Sequence, residues 1–115
     1  MQSNNDFTVG GSLSVNCHGW QPNHAPIAST VEAFRLMLSD GSIKHCTRTE
    51  NPELFKLALG GYGLFGVMLD ADIHVVPDVQ YRIEATIIAA PDYPAAFDAK
   101  VRRAPAGSVG LALGV

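Results

Sequence analysis

Apolar and polar residues alternate along the chain just after its first quarter, a pattern typical of strands with one buried face. Residues 30–38 read TVEAFRLML and place most of their apolar side chains at every second position. Ser39, Asp40 and Gly41 then give a turn signal, because Asp initiates turns and Gly tolerates a positive φ. A second strand over residues 42–48 would pair back on the first. The pattern therefore predicts a β-hairpin.

A helical period replaces the alternation in the next segment. Asn51 or Thr49 would accept hydrogen bonds from the free N–H groups of a helix start, and Pro52 suits the first helical position. Gly60 and Gly61 would end the helix. The apolar residues that recur at helical spacing are Leu54, Phe55, Ala58 and Leu59.

Alternation returns downstream and predicts further strands over residues 63–76 and 79–89. Asp92 would cap a helix that runs from Tyr93 to about Arg102, and the apolar residues 109–115 would form a last strand. The predicted fold class is α+β, with a mainly antiparallel or mixed sheet of four to five strands and two main helices. The strand over 63–76 would place Val67, Leu69, Ala71, Ile73 and Val75 on its buried face.

Composition excludes several classes of protein. The chain has 115 residues, the size of one domain, with 47% hydrophobic residues, 17% charged residues and a formal net charge of −3. Its few basic residues are scattered, which argues against a nucleic-acid partner, and no apolar run is long enough for a membrane span. Two cysteines and a polar start without a signal-peptide pattern favour a reducing, cytoplasmic location. Both ends break off abruptly, so we expect a piece of a larger protein.

The opening segment TVGGSLSVNCHGW, residues 8–20, is the first candidate site. Gly10 and Gly11 have no Cβ atoms, so a flat or phosphorylated ligand could approach their N–H groups; the alternative is that the pair is only a turn. The alternation from Ser12 to His18 would make one side polar and pack the other. Cys17 and His18 would then face opposite ways as neighbours on a strand, which argues against a nucleophile–base pair.

Two further motifs fail on their context. The histidines and cysteines show no zinc spacing, so no metal site is predicted. Residues 61–66 match G-x-G-x-x-G, but a helix precedes them and a strand follows, the reverse of the order in a dinucleotide-binding motif. The bare backbone at Gly66 and Val67 could still approach something flat. We therefore expect the two glycine segments to converge into one wall.

Together these motifs resemble a known family. TVGGSLSVNCHG, the SDGSI hairpin and NPELFKLALGGYGLFGVML occur in the order found in the FAD-binding domain of vanillyl-alcohol-oxidase, or PCMH-type, flavoproteins. The branch that they resemble most contains the sugar-alcohol and aldonolactone oxidases and decaprenylphosphoryl-ribose oxidase. The resemblance covers residues 2–77 and extends weakly to residue 115. It implies that residues 1–77 are part of the second FAD-binding lobe, and that residues 78–115 end that lobe and begin the substrate domain.

The resemblance also implies a cofactor site and an activity. The parent protein would be an FAD-dependent oxidoreductase that oxidises an alcohol or a sugar-like hydroxyl by hydride transfer to flavin. His18 would lie near the flavin or the substrate, while the catalytic base is not assigned. The residues that would contact FAD are Thr8, Val9, Gly10, Gly11, Val15, Asn16, Cys17, His18, Gly19 and Val67.

A single lobe would supply only one wall of that site. We therefore expect this chain alone to bind FAD weakly or not at all, and to be inactive. Surface that normally faces the missing lobe would favour self-association, through the N-terminal segment or through residues 109–115. The alternative function is a freestanding α+β binding or interaction module whose glycines are structural turns.

Overall fold

The structure, a computed structural model, describes residues 6–114. They divide into two compact units, each described here by itself. The first unit contains residues 6–19 and 25–76, and the second contains residues 20–24 and 77–114. The predicted site residues all belong to the first unit.

The first unit is built on a three-stranded antiparallel sheet. Its strands are β1 (Val31–Met37), β2 (Ile43–Thr47) and β3 (Val67–Ile73), in the spatial order β2-β1-β3. β1 and β2 form the predicted hairpin, and in its turn the Ser42 amide donates to the Asp40 carboxylate at 2.9 Å. β1 is therefore the central strand, with one partner on each side.

Two short helices pack with this sheet around one core. They are α1 (Val9–Ser14) and α2 (Pro52–Ala58). Phe34 of β1 stacks on Phe55 of α2 with 5.3 Å between ring centroids, and both side chains are buried. The buried cluster consists of Leu13, Val31, Phe34, Leu36, Cys46, Phe55 and Ala58.

α2 begins close to the predicted position. Pro52 occupies its first turn, and Asn51 precedes it with a left-handed φ of 47°. The sequence predicts that Asn51 or Thr49 caps this helix, but the Asn51 side chain makes no capping hydrogen bond. Its amide Nδ2 instead donates to the backbone oxygen of His45 at 2.7 Å. Asn51 thus ties the start of α2 to β2.

The opening segment is helical, so the strand-like alternation expected from Ser12 to His18 is wrong. Thr8 caps α1, because its Oγ1 accepts a hydrogen bond from the Gly11 amide at 3.1 Å. A helix has a period of 3.6 residues, so consecutive residues can share a buried face. Ser12 and Leu13 are accordingly both buried. A single cap outweighs the alternation over this short segment.

A shift of register in β3 overturns part of its predicted faces. Arg35 pairs with Asp70 while the next residue, Leu36, pairs with Met68, so Leu69 is an extra residue on β3. An extra residue of this kind is a β-bulge, and it moves the side chains before it to the opposite face. Val67 and Leu69 are therefore exposed instead of buried, and Met68 packs against the core.

The exposed face of the sheet carries a cross-strand ion pair. The Arg35 Nε donates to Asp70 Oδ2 at 2.8 Å. This hydrogen bond holds the pKa of the Asp70 carboxyl below its ordinary value and raises the pKa of Arg35. Both side chains are about half exposed, so the pair aligns β1 and β3 and adds little to stability.

The second unit contains one longer helical segment. Helix α3 (Tyr93–Phe97) continues into a π-helical turn over Asp98–Arg102, which matches the predicted helix. Asp92 precedes α3 without capping it through its side chain. Residues 77–89 and 109–114 lie in no strand, and Val115 lies outside the described residues. The part of the chain that is described therefore has three strands, and the predicted four to five are not found.

Gly66, the residue directly before β3, should tolerate substitution poorly. Its φ is 146°, and an added Cβ would lie 2.5 Å from the backbone oxygen of Met37. We expect Gly66→Ala to lower the free energy of unfolding by about 2–4 kcal/mol in urea titrations. Gly41 offers a matched control, because its φ is 80° but nothing lies within 4 Å of an added Cβ. Gly41→Ala should cost only about 1–2 kcal/mol, and equal losses would contradict this account.

Candidate functional site

The N-terminal turn of α1 presents bare backbone to the outside. Residues 8–11 are all exposed, including both glycines. The N–H groups of a first helical turn have no acceptor within the helix, and Thr8 satisfies that of Gly11. An added Cβ on Gly11 would lie 2.9 Å from Thr8 Oγ1, whereas no atom of the described residues 6–114 lies within 4 Å of an added Cβ on Gly10. Gly11 thus serves the cap, and Gly10 faces open space.

Asn16 shapes the turn that ends α1. It has a left-handed φ of 46°, a conformation that Asn adopts more readily than most residues. Its side-chain Oδ1 accepts a hydrogen bond from the Ala28 amide at 3.0 Å, twelve residues further along the chain. The adjacent Cys17 oxygen accepts another from the Ile27 amide at 2.9 Å. The turn is therefore fixed to the segment that leads into β1.

The two glycine segments meet at this turn. The Gly60 amide donates to the Leu13 oxygen at 2.9 Å, and the Tyr62 amide donates to the Ser14 oxygen at 3.0 Å. Gly60 has a φ of 80°, and an added Cβ would lie 3.0 Å from Asn16 Cβ. These contacts join the end of α1 to the residues that follow α2. The segments therefore touch through Gly60 and Tyr62, while Gly66 packs on Leu36 and Met37 of β1.

The remaining predicted site residues differ in exposure. Val15, His18 and Val67 are exposed, while Cys17 and Gly19 are half-buried. His18 Nδ1 lies 3.2 Å from the backbone oxygen of the next residue. This contact of the His18 ring is thus with the backbone and not with a side-chain base or nucleophile.

The sequence analysis did not identify Arg48, although its side chain joins residues 29–31 to the Phe55 ring beside the turn after α1. Its Nη2 donates to the Val31 oxygen at 3.1 Å and to the Ser29 oxygen at 3.3 Å, and its guanidinium lies 5.2 Å from the Phe55 ring centroid. Arg48 lines an open cavity of about 340 Å³ together with Asn16. No local pattern marks Arg48, because its partners come from a distant segment.

The titratable groups add no further chemistry at this site. Burial raises the pKa of the Cys46 thiol, which keeps it protonated and unreactive. Among the described residues, no group of three or more His, Cys, Asp or Glu side chains is arranged to hold a metal ion. The helices described are all too short or too polar to cross a membrane.

Several curated proteins are similar in sequence to this chain, although no protein-family model matches it. An FAD-dependent monooxygenase of Arthrobotrys oligospora is 38% identical over 82 residues, which cover 71% of this chain and 16% of that protein. The D-arabinono-1,4-lactone oxidase of Yarrowia lipolytica is 31% identical over 81 residues, 70% of this chain and 15% of that protein. Cytokinin dehydrogenase 9 of Oryza sativa is 38% identical over 72 residues, 62% of this chain and 14% of that protein.

These relatives are oxidoreductases of one flavoprotein family, and the name of the Arthrobotrys oligospora protein states its dependence on FAD. The chain spans about one sixth of the length of each. The homologues of this chain are thus PCMH-type FAD-linked oxidases, and the chain corresponds to a short segment of that family.

Proposed function

We propose that the first unit supplies one wall of the FAD site in an FAD-dependent oxidoreductase. Gly10 carries this proposal. It lies inside α1, where glycine costs about 0.5–1 kcal/mol relative to alanine, yet it has no positive φ, and no atom of residues 6–114 lies within 4 Å of an added Cβ. No contact among the described residues explains a glycine there. Close approach by a cofactor does explain it, and the relatives are FAD enzymes.

The residues present fit such a cofactor. Thr8, Val9, Gly10 and Gly11 form an exposed turn, and its N–H groups other than that of Gly11 suit the oxygen atoms of a dinucleotide. The Thr8 hydroxyl accepts from Gly11 and still has its own proton to donate. Val67 is an exposed residue at the start of β3 and would offer its main-chain groups to the cofactor. These five residues would contact FAD directly.

The turn after α1 would both contact and position the cofactor. Val15 and His18 are exposed and would face FAD or the substrate, with Gly19 beside them. Asn16 and Cys17 are half-buried, and their hydrogen bonds to Ala28 and Ile27 hold the turn. Their part in the site is therefore mainly to fix the backbone on which Val15 and His18 stand.

The flavin, when bound, accepts hydride from the carbon of an alcohol or a sugar-like hydroxyl. The residues of this chain would bind and orient the reactants. The exposed His18 ring can donate or accept a hydrogen bond to the substrate or the flavin, and the base that takes the hydroxyl proton is not assigned to this chain. A lactone-type or sugar-like substrate is supported by the name of the Yarrowia lipolytica relative.

The chain would be inactive by itself. Residues 1–77 would be part of the second FAD-binding lobe, and residues 78–115 would lead into the substrate domain. The boundary between the two units, after residue 76, supports this division. A ligand held from one side leaves most of its surface in water, so affinity for FAD would be low.

The two free cysteines support a reducing, cytoplasmic location. We also propose that the chain associates with itself, through the N-terminal segment or through residues 109–115.

Titration of the ¹⁵N-labelled chain with FAD tests the proposed wall. We expect a dissociation constant weaker than about 100 μM, with amide shifts concentrated at residues 8–11, 15–19 and 67. Gly10→Leu should weaken these shifts by filling the open space, whereas Gly10→Ala should weaken them less and stabilise α1 by about 0.5–1 kcal/mol. Shifts confined to the second unit, or unaffected by Gly10→Leu, would overturn the assignment.

The positioning role of Asn16 gives a separate prediction for stability. Asn16→Ala removes the acceptor of the Ala28 amide and places alanine at a left-handed φ. We expect it to lower the free energy of unfolding by about 1–3 kcal/mol. Asn16→Asp keeps a side-chain oxygen and tolerates the same backbone, so its loss should be below about 1 kcal/mol. Urea unfolding distinguishes the two, and a similar loss in both variants would refute the role.

A further inference from the structure

Residues 79–88 have the sequence of a strand, but they pair with no other strand within residues 6–114. Their apolar side chains fall on every second position, and Ile83 is 92% exposed while Ile87 is fully exposed. Within residues 6–114, no backbone hydrogen bond involves residues 77–88. Exposed apolar residues and unpaired backbone groups in one segment mark a surface that another strand can cover.

The segment is complementary to itself in one antiparallel register. If Ile83 lies opposite the same residue of a second copy, then from residue 79 to residue 87 every apolar residue meets an apolar residue and every polar residue meets a polar one. The same register sets Arg82 opposite Glu84 of the other copy, twice by symmetry. The resulting pairs are Val79 with Ile87, Tyr81 with Ala85, Ile83 with Ile83, Gln80 with Thr86, and Arg82 with Glu84.

A shift of the register by one residue destroys this match. Apolar side chains would then face polar ones along the whole ribbon, because the period of a strand is two residues. In the single chain, Arg82 Nη2 contacts Glu84 Oε1 at 2.6 Å, and both side chains are largely exposed. The two charges thus already share one face of the segment, as the paired register requires.

We propose that residues 79–87 of two copies of this chain pair as an antiparallel β-ribbon about a two-fold axis at Ile83. Neighbouring contacts inside the second unit hold the segment in place. The Tyr81 ring packs against Gly110, and Lys100 Nζ donates to Thr86 Oγ1 at 2.9 Å. The inference does not depend on the proposed FAD site, because all of these residues lie in the second unit.

A two-stranded ribbon by itself is only marginally stable, so the dimer should be of moderate strength. Sedimentation velocity over a concentration series should give a dissociation constant of about 10–100 μM for the 115-residue chain. Ile83→Lys places two like charges opposite each other and should weaken the dimer about tenfold or more. Val75 is also an exposed apolar residue, so Val75→Lys is the matched control and should leave the constant unchanged. Equal effects of Ile83→Lys and Val75→Lys on the dissociation constant, or a chain that stays monomeric at about 1 mM, would contradict the proposed ribbon.

Charge reversal tests the register independently of the apolar contacts. Arg82→Glu and Glu84→Arg each place like charges opposite one another, and each alone should weaken the dimer several-fold. The double variant R82E/E84R restores opposite charges in every pair and should recover the affinity of the natural sequence. A double variant that is as weak as either single variant would exclude this register.

Cross-linking locates the symmetry axis. Side chains directly opposite each other have Cβ atoms about 4.5–5.5 Å apart, which allows a disulfide after small adjustments. Ile83→Cys should therefore form a covalent dimer when oxidised glutathione accepts the electrons of the two thiols. Glu84→Cys faces Arg82 of the other copy instead and should cross-link much less, and the natural chain controls for Cys17 and Cys46. Equal cross-linking of both variants would rule out an axis at Ile83.

Discussion

The end of α1 is the constraint on which the first unit depends. A helix leaves its last carbonyl groups without partners, and a helix of six residues leaves most of them. Here the amides of Gly60 and Tyr62 supply partners to the carbonyls of Leu13 and Ser14. Because those amides come from the turn after α2, the same hydrogen bonds that complete α1 also fix it to the sheet. Leu13 can then enter the core beside Phe55.

Glycines serve different purposes in the two segments that meet there. Gly60 and Gly66 have positive φ values and close neighbours, so the fold itself explains them. Gly11 makes room for the hydroxyl of the capping threonine. Among the residues that the structure describes, Gly10 has no such internal reason, and this difference separates a candidate ligand contact from a structural glycine. A glycine-rich motif therefore needs coordinates before its glycines can be divided between folding and binding.

Local signals in the sequence predicted much of the fold. The hairpin and α2 follow from a turn sequence, a proline and a helical period, all of which act over a few residues. Three expectations failed, one because of a local cap and two because distant partners decide. The opening segment, capped at Thr8, is helical; the pairing of β3 with β1 introduced the extra residue Leu69; and residues 79–89 meet no neighbouring strand within residues 6–114. The family was predicted correctly because its motifs are a linear order of residues, which needs no three-dimensional information. The contacts of the site residues with FAD stay a prediction.

The extra residue in β3 has a consequence for the open side of the sheet. β3 is an outer strand, and a regular outer strand of exposed valines and leucines would be a template for unlimited addition of further chains. The bulge at Leu69 breaks the even spacing of its free N–H and C=O groups and adds local twist. A straight incoming strand could form hydrogen bonds with only part of the free edge of β3. The bulge thus disfavours growth into filaments from that side of the sheet.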